Sequence, residues 1–154
     1  MKKTLAREGD RDEVVRRLKA VGPQSERRWG TMSPHQMVCH LSDAFRMGMG
    51  QMAVSPASSL LQRTVVKWIA LHVSVPWPAG IRTRPEIDQA LGGGTKPAEF
   101  EADVVALLAL VEAVTARPRG FEWQPHPIFG PLSDADWMRW AYLHMDHHLR
   151  QFGA

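Results

Sequence analysis

Apolar residues recur at intervals of three and four along most of the chain, which is the spacing of one face of an α-helix. The pattern is strongest in PAEFEADVVALLALVEAVTARPRG, which begins near Pro97 with acidic residues in its first turns and ends at RPRG, residues 117–120. Neither the strict alternation of β-strands nor an internal repeat is visible. The pattern therefore predicts an all-α fold.

Other helices are predicted from their start signals. A first helix is expected near residues 9–20, and SPHQ at residues 33–36 supplies a serine N-cap, a proline at the first helical position and a glutamine for a capping box. Ser-Pro at 55–56 opens an accessory helix through SSLLQRTVVKWIALH, which ends at the prolines within 76–78. Ser133, followed by acids in the first turn, opens the last helix.

Four main helices and one accessory helix favour a four-helix bundle. Two proline- and glycine-rich segments, VPWPAGIRTRPEIDQALGGGTKP and EWQPHPIFGPL, are predicted to be long loops inside one domain that spans residues 1–154. A chain of 154 residues and 17.3 kDa is long enough to bury roughly 70% of its unfolded surface, and so to hold a real core.

Composition limits the classes of function. The chain is 44% hydrophobic and 23% charged, as ordinary soluble proteins are, and its net charge of +3 comes from basic residues interleaved with acids. We therefore expect no nucleic-acid binding. The N-terminus lacks the apolar segment of a secretion signal, and the most apolar stretch is too interrupted to cross a membrane. A cytoplasmic location is expected, in keeping with the single cysteine, and a homodimer is left open.

Histidines share the apolar face of the predicted last helix. With His144 as the reference, six residues fall within about 60° of it on a helical wheel: Trp137, Trp140, Ala141, His147, His148 and Gln151. The opposite face is predicted to meet solvent through Met138, Arg139, Asp146 and Arg150, with an ion pair between Asp146 and Arg150.

A similar apolar stripe surrounds His40 on the second helix. The wheel places Met37, Ala44, Met47 and Gln51 around it, with Leu41 and Gly48 at the margin, so that Ala44 and Gly48 would leave room beside the imidazole. His144 and His148, four residues apart, can aim two nitrogens at one point, and His40 is the best-placed third ligand. Three neutral imidazoles would leave one position of a divalent ion open to water, as in catalytic sites.

The remaining histidines and the cysteine receive simpler interpretations. His147 is a pocket residue or a substitute for His148, and His126 packs its loop or contributes from outside the site. His35 is expected to be exposed, His72 to end a helix near Trp68, and Cys39 to be a small buried thiol. In the alternative hypothesis the inward histidines are hydrogen-bonded core residues of a non-catalytic bundle, which binds an apolar ligand or a partner protein without a metal.

Three blocks, WGTMSPHQMVCHLSDAFRMGMG, VPWPAGIRT and HPIFGPLSDADWMRWAYLHMDHHLRQFG, resemble the signature blocks of the DinB/YfiT-like superfamily, in particular a branch known only as a domain of unknown function. The resemblance covers residues 29–153. It implies a four-helix bundle with a crossover connection and a divalent metal, with zinc or nickel expected, on His40, His144 and His148. The wheel argument selects the same three histidines.

The resemblance also suggests a reaction. Some superfamily members resemble thiol-dependent transferases that use low-molecular-weight thiols, although LRQFG stands here where many relatives have RGQ. We therefore expect a metal-dependent thiol transferase or hydrolase that acts on a small molecule and lacks a protein nucleophile. Its pocket is predicted to be walled by Trp137, Trp140, Met37 and Met47.

Overall fold

The computed structural model describes residues 2–73 and 75–154, and within them the regular structure is helical. Short 3₁₀ turns and an isolated bridge between His126 and Gly130 complete it, and no strand forms in these residues. The predicted all-α class is confirmed. The five α-helices are α1 (Glu8–Lys19), α2 (Pro34–Gly48), α3 (Lys67–His72), α4 (Phe100–Thr115) and α5 (Asp134–Arg150).

The predicted caps fix the starts of the two helices that carry the candidate histidines. The Ser33 hydroxyl accepts the backbone N–H of Gln36 at 3.1 Å, and the Gln36 side chain accepts the Ser33 N–H at 2.8 Å. The Ser133 hydroxyl likewise accepts the N–H of Asp136 at 3.1 Å. These bonds satisfy amide groups that no helical carbonyl can reach, so they set the register of α2 and α5.

The accessory helix begins later than predicted. Ser59 and Gln62 form a reciprocal pair, because the Gln62 side chain accepts the Ser59 N–H at 2.6 Å and the Ser59 hydroxyl accepts the Gln62 N–H at 3.2 Å. This pair, and not Ser55-Pro56, caps the helix. A π-helical turn, Gln62–Val66, then leads into α3.

The second helix ends before Gln51, which the helical wheel had placed beside His40. It closes at Gly48, and Gln51 lies beyond it, exposed to solvent, instead of facing His40. Gly48 leaves no room beside the imidazole either. A Cβ atom there would lie 3.2 Å from the Trp137 ring and 3.0 Å from that of Trp123, so the absent side chain makes space for tryptophans.

Helix α5 lies between other helices, which explains one wrong prediction. It contacts α2 and α3, and α1 packs against it, while α2 also packs against α4. Met138, predicted to meet solvent, is fully buried because the N-terminal segment covers that face, where the Leu5 N–H donates to the Met138 carbonyl at 3.1 Å. The predicted ion pair of Asp146 with Arg150 is present at 3.0 Å.

The accessory helix, from its cap at Ser59 through the π-helical turn to the end of α3, is called the accessory region here, and it leaves many large apolar side chains exposed. The chain contains no helix, among the residues described, that is long and apolar enough to span a bilayer. The exposed side chains are at least half accessible at Leu60, Leu61, Val65, Trp68 and Ile69. Part of this surface forms the rim of the pocket described below.

Candidate metal centre

Three imidazoles from two helices converge in the interior. His40 comes from α2, and His144 and His148 come from successive turns of α5. The Nε2 atom of His144 lies 3.1 Å from Nε2 of His40 and 3.2 Å from Nε2 of His148. The donor atoms of all three side chains lie within 4.8 Å of one another. The structure thus brings together the three histidines selected from the sequence; their binding of a metal stays a prediction.

Two of the three rings are oriented by hydrogen bonds from their far nitrogens. Nδ1 of His40 donates to the Ile87 carbonyl at 2.7 Å, and Nδ1 of His148 donates to the Gln151 side-chain oxygen at 2.8 Å. A neutral imidazole carries one N–H, so these bonds leave the Nε2 lone pair of each ring directed toward His144. Partners of this kind are typical of histidines that bind metals.

The converging nitrogens are better matched to a cation than to each other. A neutral His144 has one proton at most for Nε2, and that proton can serve only one of the two lone pairs that face it. The other lone pair would remain buried without a donor, at a cost of about 1–3 kcal/mol. Metal–nitrogen bonds of about 2.0–2.1 Å in a tetrahedral arrangement place nitrogens about 3.3 Å apart, close to both observed separations.

The environment keeps these rings neutral. Burial lowers the pKa of His40, although the bond to Ile87 acts in the opposite direction. Burial, followed by repulsion from the neighbouring histidines, holds the pKa of His144 and of His148 well below the usual value. Unprotonated imidazole is the form that binds a metal ion.

A buried carboxylate on α2 fixes the loop that orients His40. Asp43 is fully buried and accepts the Thr95 N–H, the Thr95 hydroxyl and the Gln89 side-chain amide, each at 2.7 Å. Gly94 has a φ of 65°, and a Cβ atom there would lie 2.6 Å from the Asp43 carboxylate. This network anchors the segment that follows Ile87 onto α2, and sequence reasoning missed it.

The triad forms part of the wall of a pocket of about 900 Å³. The other walls are mainly apolar and include Met47, Ile69, Trp77 and Trp140. Trp140 stacks on the His144 ring, with the centroids 4.6 Å apart. The prediction that Met37 and Trp137 line the pocket was wrong. Met37 is fully buried in the core. Trp137 is 1% exposed and lies behind Trp140, where its ring stacks on that of Trp123 with the centroids 4.7 Å apart.

His147 and His126 line the same pocket but stay outside the triad. Burial lowers the pKa of His147 to about 4, and its ring meets the Trp29 ring edge-on at 4.8 Å. His126 packs its loop, because its Nδ1 accepts the N–H groups of Ile128 and Phe129, both at 3.2 Å. Burial lowers its pKa to about 3.

A second group of donor atoms lies between α2 and α4. Nε2 of His35 lies 2.6 Å from Oδ2 of Asp103, and the Cys39 thiol donates to the same oxygen at 3.7 Å. His35 was expected to be exposed, but its side chain is only 21% accessible because it bonds to α4. Cys39 is buried, as predicted, and burial raises its pKa to about 12.

His72 lies where it was predicted. It is the last residue of α3, and its ring centroid is 6.2 Å from that of Trp68. Its Nδ1 lies 3.2 Å from the Lys2 ammonium and its Nε2 lies 3.8 Å from Oδ1 of Asp136, so its polar contacts are with the N-terminal segment and with α5.

Comparison with known families gives a nearly full-length match. Residues 3–154 match the family described as "Protein of unknown function (DUF1569)". The chain belongs to this family. No curated protein and no solved structure matches it significantly. The function of this DUF1569 protein must therefore be argued from its own site.

Proposed function

We propose that this DUF1569 protein is a divalent-metal-dependent enzyme of the DinB-like superfamily, with its ion held by His40, His144 and His148. The observation that carries the proposal is the convergence of three Nε2 atoms, at 3.1 and 3.2 Å, on the wall of a large pocket. The resemblance of three sequence blocks to that superfamily supports the same assignment.

The donor set indicates the kind of ion. Three neutral imidazoles suit zinc or nickel better than magnesium or calcium, which prefer oxygen ligands. Three protein ligands leave a position open, and a bound ion would supply Lewis acidity to a water, a thiol or a substrate there. The Ile87 carbonyl and the Gln151 side chain hold two of the rings in place, while Trp140 stacks on the third.

The pocket indicates the kind of substrate. Its volume suits a small organic molecule, and its apolar walls favour a substrate with an apolar body and one polar group directed at the triad. Transfer from a low-molecular-weight thiol and hydrolysis both fit this arrangement. Cys39 does not serve as a nucleophile in this proposal, because its thiol is buried between α2 and α4 with a raised pKa.

A screen of thiol transfer and ester or amide hydrolysis, run with zinc- and nickel-loaded protein, tests the proposal. Activity should require the ion and disappear in His144→Ala. The matched variant His72→Ala, which removes an imidazole at the end of α3 outside the pocket wall, should keep it. A chain that binds neither ion at micromolar concentration and neutral pH would overturn the proposal.

A non-catalytic ligand-binding protein is the second candidate function. The observation that favours it is the apolar character of the pocket, which needs no metal to hold an apolar molecule. Metal content of the Cys39→Ser variant, purified without added metal, separates the two candidates. Under the second candidate this variant is metal-free, and an apolar molecule binds the pocket with the same affinity whether or not zinc is added.

A further inference from the structure

The group formed by His35, Cys39 and Asp103 is separate from the histidine triad. His35 and Cys39 are one turn apart on α2, and Asp103 is in the first turn of α4. One donor atom from each lies within 4.8 Å of the others. Two hydrogens, from the His35 ring and the Cys39 thiol, point at the same Asp103 oxygen. An ion that replaced these hydrogens would have three ligands already in place.

The donor set has the chemistry of a zinc site. Thiolate, imidazole and carboxylate are the three ligand types that zinc takes in proteins, at about 2.3, 2.0–2.1 and 2.0–2.2 Å. Such bonds in a tetrahedral arrangement separate the donors by about 3.3–3.6 Å. The sulfur–oxygen distance of 3.7 Å lies just above this range, and the nitrogen–oxygen distance of 2.6 Å must widen by less than 1 Å to reach it.

Two members of the group are partly accessible. The side chains of His35 and Asp103 are 21% and 23% exposed, while Cys39 behind them is 2% exposed. An ion can therefore enter from solvent between His35 and Asp103, and water can occupy the fourth position on that side. The Ala98 N–H donates at 3.1 Å to the same Asp103 oxygen that faces His35 and Cys39, and this bond would hold the ligand oxygen in place.

We propose that His35, Cys39 and Asp103 form a second divalent-metal site, with a preference for zinc, that links α2 to α4. Binding exchanges the thiol proton of Cys39, which leaves to solvent, for a metal–sulfur bond. The proton on His35 Nε2 moves to Nδ1, so that each ion bound releases one proton in all. Neither the triad nor its chemistry enters this proposal.

Cobalt titration of the reduced protein, without added thiol, tests the proposal. Cobalt bound to a thiolate shows an intense charge-transfer absorption in the near ultraviolet, which cobalt bound to imidazole nitrogens alone does not. The expected result is this absorption in both proteins, saturating at one added ion per chain in His144→Ala and by two added ions per chain in the unaltered protein, whose triad also takes cobalt. In Cys39→Ser it should vanish, and zinc should displace cobalt in the other two proteins.

Paired variants on α4 separate binding from unspecific effects. Asp103→Asn should weaken the thiolate-bound cobalt by more than about tenfold, because loss of even an outer partner commonly costs 10–100-fold. Glu101→Gln, which removes the other acid of the same first turn, should leave it unchanged. Absence of the charge-transfer absorption from the unaltered protein would overturn the proposal, and so would equal effects of the two variants. Neither result bears on the triad.

Discussion

The Nε2 atoms of His40 and His144 lie 3.1 Å apart, although the two residues are separated by 104 positions in the sequence. Their separation is short because α2 and α5 are neighbours, and because the Ile87 carbonyl holds the His40 ring with its lone pair toward α5. Two buried nitrogens this close must share a proton or a cation. A cation would make the site a metal centre, whereas a shared proton would make the histidines hydrogen-bonded core residues.

Substitution of single histidines distinguishes ligands from neighbours. His148→Ala and His40→Ala each remove one of three nitrogens that converge, so metal binding should be nearly abolished. His147→Ala removes a ring that lines the pocket outside this group, so the ion should be retained. Metal content per chain, measured at neutral pH in Cys39→Ser protein to exclude any second ion, checks this.

Two outcomes of that measurement would contradict the assignment. If His147→Ala loses the ion and His148→Ala retains it, the wrong turn of α5 has been assigned to the site. If none of the three substitutions changes the metal content, the histidines are hydrogen-bonded core residues, and the ligand-binding candidate is favoured instead.

Asp43 should affect the metal centre without touching it. In Asp43→Asn, a side-chain amide replaces a carboxylate oxygen, so that its N–H group faces other donors such as the Thr95 N–H. The substitution should lower the free energy of unfolding by on the order of 3 kcal/mol. The loosened loop should also weaken metal affinity 10–100-fold, because Ile87 orients His40. Urea unfolding and competition with a chelator measure the two effects.

Ser42→Ala is the matched control, since its buried hydroxyl bonds only to the Val38 carbonyl of its own helix, among the contacts described. It should leave metal affinity unchanged. Reduced stability in Asp43→Asn together with unaltered metal affinity would show that the anchored loop does not position His40.

The local parts of this structure could be predicted from sequence. The caps at Ser33 and Ser133 are set by residues within one turn, so the starts of α2 and α5 followed from the sequence. The convergence of His40 with the two α5 histidines also followed, because each lies on an apolar stripe that had to face the interior. The match of residues 3–154 to the DUF1569 family confirms that the chain belongs to a family of unknown function, while its placement in the DinB/YfiT-like superfamily stays a prediction.

Features that depend on several elements at once could not be predicted. A helical wheel treats one helix alone, so it missed that the N-terminal segment covers Met138. It also could not separate Trp140, which lines the pocket, from Trp137, which packs behind it. The bonds from Ile87 and Asp43 come from an irregular loop, whose backbone path has no periodic signal. An acid three residues after His40 was the one available clue.

Stability of the metal-free protein should fall in mild acid. Burial lowers the pKa of His126 to about 3 in the folded state, against about 6.5 when unfolded. Between these pH values the unfolded chain therefore binds more protons than the folded protein. The contribution of neutral His126 to the free energy of unfolding is fully present above pH 6.5 and is lost as the pH falls toward 3. This one residue lowers the free energy of unfolding by up to about 1.4 kcal/mol per pH unit, and urea unfolding from pH 7.5 to 5 measures the decrease.

His126→Asn supplies the control for that experiment. Its side-chain oxygen can accept the N–H groups of Ile128 and Phe129 that His126 Nδ1 now accepts, but it does not titrate. The variant should show a shallower loss of stability between pH 6.5 and 5. An unchanged slope would mean that His126 is not protected from protonation in the folded protein.

The pocket should bind longer apolar chains more tightly. Primary alcohols from butanol to octanol, titrated into metal-free protein and followed by NMR, should gain about fourfold in affinity per methylene, because burial of each methylene contributes about 0.8 kcal/mol. Ile69→Asp, which places a charge on the pocket rim, should weaken octanol most. Val65→Asp is the matched control, because Val65 is equally exposed, at 51% against 50%, on the same helical segment but outside the pocket wall. If both variants weaken octanol equally, the alcohols bind the exposed surface of the accessory region, and the pocket is not an apolar binding site.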